Sequence, residues 1–122
     1  MRCEVAFELH PTYLHATVTG TNSRESVQQY MDEVLAECQK RECFRVLIEE
    51  RLEGPRLDAM DVFAMASEGS MRALGVFEAV AYVDPQMGKM KDFAESVAVN
   101  RGLPISSFFS VAEAEQWLLE QE

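Results

Sequence analysis

The chain has 122 residues, 48% hydrophobic and 26% charged, which suits one globular domain whose core folds without metal or disulfide support. A net charge of −10 argues against nucleic acid, since phosphate binding needs clustered Lys and Arg, and it disfavours an anionic membrane surface. No apolar run approaches the roughly 18 residues of a membrane-spanning helix, so no membrane insertion is expected.

Met1-Arg2-Cys3-Glu4 leads straight into alternating residues and does not read as an export signal. Cys3, Cys38 and Cys43 are an odd count without a CxxC pair, so they read as reduced, packed thiols in a cytoplasmic protein.

Cys3, Val5, Phe7 and Leu9 alternate with Glu4, Glu8 and His10, predicting a half-buried strand. After Pro11-Thr12, the residues Leu14, Ala16 and Val18 repeat the pattern up to Gly20. The short break predicts an antiparallel hairpin toward a sheet edge. A helix follows from Asn22 or Ser23, where Glu25 stands three residues after Asn22 as a capping box requires. Its apolar stripe is Val27, Tyr30, Met31, Val34, Leu35 and Cys38, and Lys40 and Arg41 suit the last turn.

Phe44 to Ile48 is a compact apolar run typical of a strand covered on both faces, with Glu49-Glu50-Arg51 ending it and Gly54-Pro55 marking a loop. Asp58 caps a second expected helix, apolar almost all round, with Met60, Val62, Phe63 and Met65. Phe77 to Val83 reads as another covered strand. Asp84-Pro85 starts a third helix and Gly102 terminates it. A short strand through Phe108 and Phe109 precedes a capping box, Ser110 to Glu113, and a final helix packed by Val111, Ala114, Trp117 and Leu118. The expected fold is α/β: a single domain over 1–122 in the order ββαβαβαβα, with a mixed five-stranded sheet and four helices.

That order and its residues resemble the SpoIIAA-like family of the wider STAS-like fold. The likeness rests on four features. They are the hairpin ending in Thr19-Gly20, the helix from Ser23 to Cys38, the strand Phe44 to Ile48 with its Gly54 loop, and the close from Phe108 through Trp117-Leu118. The resemblance implies a non-catalytic regulatory module. Sporulation antagonists of this fold bind a kinase partner and are switched by phosphorylation of a serine after the third strand. Here that place reads Gly54-Pro55-Arg56-Leu57-Asp58-Ala59-Met60-Asp61, without Ser or Thr, so the resemblance does not extend to a phosphoserine switch. Asp58 reads as a helix cap there.

Other candidate chemistry is thin. His10 and His15 stand five residues apart across a turn but lack the further ligands of a metal site, and read as solvent-facing hairpin residues. Glu49, Glu50, Glu53, Asp58 and Asp61 cluster after the third strand with Arg51 and Arg56 among them, which reads as a solvated, ion-paired loop. Cys38 lies on the apolar stripe with no histidine close in sequence, which favours inert packing. The Asp84 to Lys91 segment lacks a nucleotide-loop pattern and reads as an ordinary βα turn. Five of the seven methionines fall in the expected second and third helices, and flexible thioethers suit adaptable surfaces or an apolar cavity.

The reading is therefore a binding or regulatory module for a protein partner or a small apolar, lipid-like ligand, with no cofactor or metal. Arg56, Asp58, Met60, Phe63, Met65 and Met87 are the expected contact residues. The alternative is a small hydrolase or transferase using the acids and arginines of the loop after the third strand. A homodimer through the apolar second helix is compatible with either.

Overall fold

The computed structural model of the chain describes residues 3–54, 76–84, 96–97, 99–100 and 104–120. Five strands form one mixed sheet, in the spatial order of the sequence. β1 (Cys3–Leu9) pairs antiparallel with β2 (Leu14–Thr21), with Val5 opposite Val18 and Phe7 opposite Ala16. The alternation that predicts these two strands is the alternation that buries Leu14, Ala16 and Val18. β2 then pairs parallel with β3 (Arg45–Glu53), β3 with β4 (Ala79–Val83), and β4 with β5 (Ile105–Phe108). β1 is the hairpin's edge strand, and β2 is interior.

Against four expected helices, two are described: α1 (Arg24–Arg41) and α2 (Val111–Glu120). Of the other two, the helix expected from Asp58 lies outside the described residues. The helix expected from Asp84-Pro85 is described only at residues 96–97 and 99–100, which are helical, with Val97 buried. No described helix is long and apolar enough to cross a membrane.

α1 and α2 cover opposite faces of the sheet. The α1 face packs Val27, Tyr30, Val34 and Cys38 against Leu14, Val18, Val46, Ile48, Leu52 and Val80, with Met31 partly buried at the margin. The α2 face packs Ala114 and Leu118 against Tyr13, Leu47, Ala79, Ala81 and Val83. Phe108 and Trp117 meet at its edge with ring centroids 5.7 Å apart. This two-sided cover explains why Val46, Leu47 and Ile48 read as a continuous apolar run.

Two local expectations change. The α1 cap is Ser23, whose Oγ accepts from the Ser26 amide at 3.1 Å and lies 3.0 Å from the Ser26 hydroxyl. The capping pair is thus Ser23–Ser26 and not Asn22–Glu25, because the Asn22 amide is taken by the Glu53 carbonyl at 2.6 Å, which extends the β2–β3 pairing. β3 also runs past Ile48. β2 supplies partners through Gly20↔Leu52 and Thr21↔Glu53, so the charged stretch Glu49-Glu50-Arg51 is strand and not loop. Gly54, at φ +115, ends it in a conformation that side chains rarely adopt.

Candidate functional site

The carboxyl ends of β3 and β4 are where parallel sheets of this kind take ligands. Here they carry two acidic clusters, separated by the sheet itself. Successive strand residues point to opposite faces, so the neighbours Glu49 and Glu50 belong to different environments.

Glu50 points to the α1 face, in line with Val46, Ile48 and Leu52, and is 5% exposed. The Tyr30 hydroxyl, from the middle of α1, donates to its carboxylate. Tyr82 in β4 hydrogen bonds to the same carboxylate and to Tyr30. Burial pushes both phenols well above their ordinary range, and the negative charges of Glu50 and Asp84 push them further. Asp84, just past β4, is buried as well, and Ser107 of β5, the register partner of Tyr82, is 7% exposed. Neutral phenols thus provide the hydrogen bonds that a carboxylate loses on leaving water. The ion-paired, solvated loop expected of this stretch is replaced, for Glu50, by a buried phenol–carboxylate cluster.

Glu49 points to the α2 face. Its Oε1 lies 3.0 Å from His15 Nε2, and its Oε2 accepts from Arg51 Nε at 2.6 Å and from a second guanidinium nitrogen. His15 sits on β2, where Thr17 is the register partner of Glu49, so the pair closes diagonally across two strands. His15 is therefore not the solvent-facing residue expected. Its side chain is 17% exposed, against 61% for Arg51. Toward the hairpin turn, His10 stacks on Tyr13 at 4.6 Å and lies 6.0 Å from the His15 ring. Tyr13 donates to Glu115 of α2, and burial together with that carboxylate raises its phenol.

No group of three or more metal-ligating side chains occurs among the described residues. At the opposite end of the sheet, a cleft of about 350 Å³ opens between the hairpin turn and the end of α1, with Arg41, Cys43, Phe44 and Arg45 in its wall. The contact residues expected from the sequence, Arg56, Asp58, Met60, Phe63, Met65 and Met87, all lie outside the described residues. The Tyr30–Glu50–Tyr82 cluster was not anticipated as a set. Its signal was present: Glu50 keeps the alternate spacing of Val46, Ile48 and Leu52, and Tyr30 sits on the α1 stripe.

A scan against protein-family models found no match, and a search of curated proteins found none. Among solved structures, the chain is similar to an uncharacterised protein of the DUF3478 family with a SpoIIAA-like fold, from Shewanella loihica PV-4. The identity is 19% and the TM-score 0.56, over 95% of this chain and 93% of that one. The element order, the sheet pairing and this likeness agree: the chain has a SpoIIAA-like α/β fold.

Proposed function

We propose that the chain is a non-catalytic binding module of regulatory type, which receives a protein partner or a small apolar ligand at the carboxyl ends of β3 and β4. The observation that carries this reading is how the acids at that end are held. Glu50 is committed to two neutral phenols, and Glu49 to His15 and Arg51. A hydrolase or transferase built on paired carboxylates needs both on one substrate, yet the pleat sends Glu49 and Glu50 to opposite faces. Glu53, the next acid, is exposed. The SpoIIAA-like fold supports the same reading by likeness to the STAS-like regulatory modules.

In sequence, Arg56, Asp58, Met60, Phe63 and Met65 follow β3 and Met87 follows β4, and we assign the contacts to them. Native mass spectrometry of the protein purified from its own source tests this. The expected result is a one-to-one complex in the natural chain that is lost in a folded Met65→Lys variant. Arg56→Glu is the second variant, should Met65→Lys fail to fold. A natural chain that carries nothing, or folded variants that keep the full complement, would overturn the reading. The released species, an apolar molecule or a protein, names the ligand class.

A further inference from the structure

Helix α1 ends with two thiols placed against each other by the backbone. Glu42 follows the last helical residue at φ 53, in the left-handed region. That turn reverses the chain, so that the Cys43 amide donates to the Cys38 carbonyl at 3.0 Å and the Glu42 amide to the Gln39 carbonyl at 3.3 Å. This paired closure is the usual left-handed helix stop, and its side chains at the Cys38 and Cys43 positions normally touch. That 3.0 Å hydrogen bond between their backbones keeps the two Cα atoms near each other, as a disulfide with its Cα separation of roughly 4.4–6.8 Å requires. Cys38 is buried in the core of the α1 face, and Cys43 is packed against that same core. Burial raises the Cys38 thiol to about 12, with the neighbouring Cys43 as the next cause.

The two thiols differ in access. Cys38 has no exposed surface, whereas Cys43 is partly exposed in the wall of the 350 Å³ cleft, its Sγ 3.6 Å from the Arg45 carbonyl. A peroxide is little larger than a water, which occupies about 30 Å³, so it enters such a cleft freely. Cys3 cannot take part. It hydrogen bonds to the Ser26 carbonyl near the start of α1, and Cys38 lies twelve residues further along that helix, about 18 Å at 1.5 Å per residue.

We propose that Cys38 and Cys43 form an oxidative modification site, a thiol pair that a peroxide converts to an intrachain disulfide across the end of α1. The Cys43 thiolate attacks one peroxide oxygen, the O–O bond breaks, and the departing oxygen leaves as water once protonated, giving a sulfenic acid on Cys43. The Cys38 thiolate then attacks the Cys43 sulfur. The S–S bond forms, the S–O bond breaks, and the hydroxide leaves as a second water. Two thiols and one peroxide thus become one disulfide and two waters: each sulfur gives up one electron, and the thiol protons end in the waters. Because the Cys38 thiol is raised by burial, the second step quickens as pH rises.

The full chain, reduced and then exposed to hydrogen peroxide, tests this without any substitution. Trypsin cuts after Lys40 and Arg41, so Cys38 and Cys43 fall on separate fragments, Glu25–Lys40 and Glu42–Arg45. The expected result is an intact mass lower by about 2 Da per chain, with those two fragments joined until a reductant parts them. Peroxide that leaves the mass unchanged overturns the proposal. So does a Cys43 carried to the sulfinic acid, about 32 Da heavier, beside a free Cys38. A disulfide that joins two chains or involves Cys3 overturns it as well.

Discussion

Glu49 and Glu50 are consecutive residues of one strand, and the two faces of the sheet hold them by different physics. On the α1 face, Glu50 is buried beneath α1 and lives on hydrogen bonds from neutral phenols of α1 and β4. On the α2 face, Glu49 is buried at the residue level but keeps contact with water through its partner Arg51, and is held by charge. A buried acceptor that loses its donors has nothing to replace them, whereas a partner near solvent is replaced by water. The same side chain, one position apart, should therefore matter very differently to stability.

The largest effect is expected for Glu50→Ala, which strands two buried phenols and opens a void under α1. Unfolding in urea should show a loss of about 3 kcal/mol. Glu49→Ala should cost about 1 kcal/mol, because the exposed Arg51 guanidinium resolvates and only the largely buried His15 imidazole is left short of a partner. Equal losses at the two positions would break the contrast. Tyr30→Phe should cost about 1–2 kcal/mol, since Glu50 keeps Tyr82 but loses one donor. A double-mutant cycle of Tyr30→Phe with Glu50→Gln should couple at about 1 kcal/mol in any salt, while Arg51→Ala with Glu49→Gln should couple at under about 0.5 kcal/mol and fade as salt rises.

Alkaline titration reports on the buried phenols of both faces, Tyr30 and Tyr82 on the α1 face and Tyr13 on the α2 face. The folded phenols of Tyr30 and Tyr82 are raised above the ordinary value of 10.0, so their contribution is complete below that pH. Above it the unfolded chain releases protons that the folded chain retains. Stability then falls with rising pH, by about 1.4 kcal/mol per pH unit for each such tyrosine. Cys38 adds an earlier loss that starts near 9.0 and is complete near 12. Tyr30→Phe should lower the slope above 10.0 by one tyrosine's share, leaving those of Tyr82 and Tyr13, and Arg51→Ala should leave it unchanged. A gain and not a loss is expected at Glu42, where a side chain holds a left-handed φ of 53. Glu42→Gly should raise stability by about 0.5–1 kcal/mol, read as a higher melting temperature.

Much of the frame was legible because local pattern and tertiary role coincide there. The alternation from Cys3 to Leu9 and from Leu14 to Val18 needs only a sheet with one buried face, and the hairpin follows from the short break between them. Val27, Tyr30, Val34 and Cys38 mark the buried stripe of α1 through spacing alone. The Ser110 cap at 3.3 Å from the Glu113 amide is likewise a short-range event.

What the amino-acid order determined by itself is this set of strands and helix faces, together with the absence of Ser and Thr from Gly54 to Asp61. Only the tertiary structure decided where β3 stops and what its charges mean. Glu49-Glu50-Arg51 resembles a loop by composition, but β4 pairs with it at Glu49, and backbone pairing with β2 through Glu53 keeps it extended. Once it is extended, the pleat alone sends one acid beneath α1 and the other toward His15. Whether a carboxylate is solvated or buried depends on what other segments place above it, and that is not written in its neighbours along the chain.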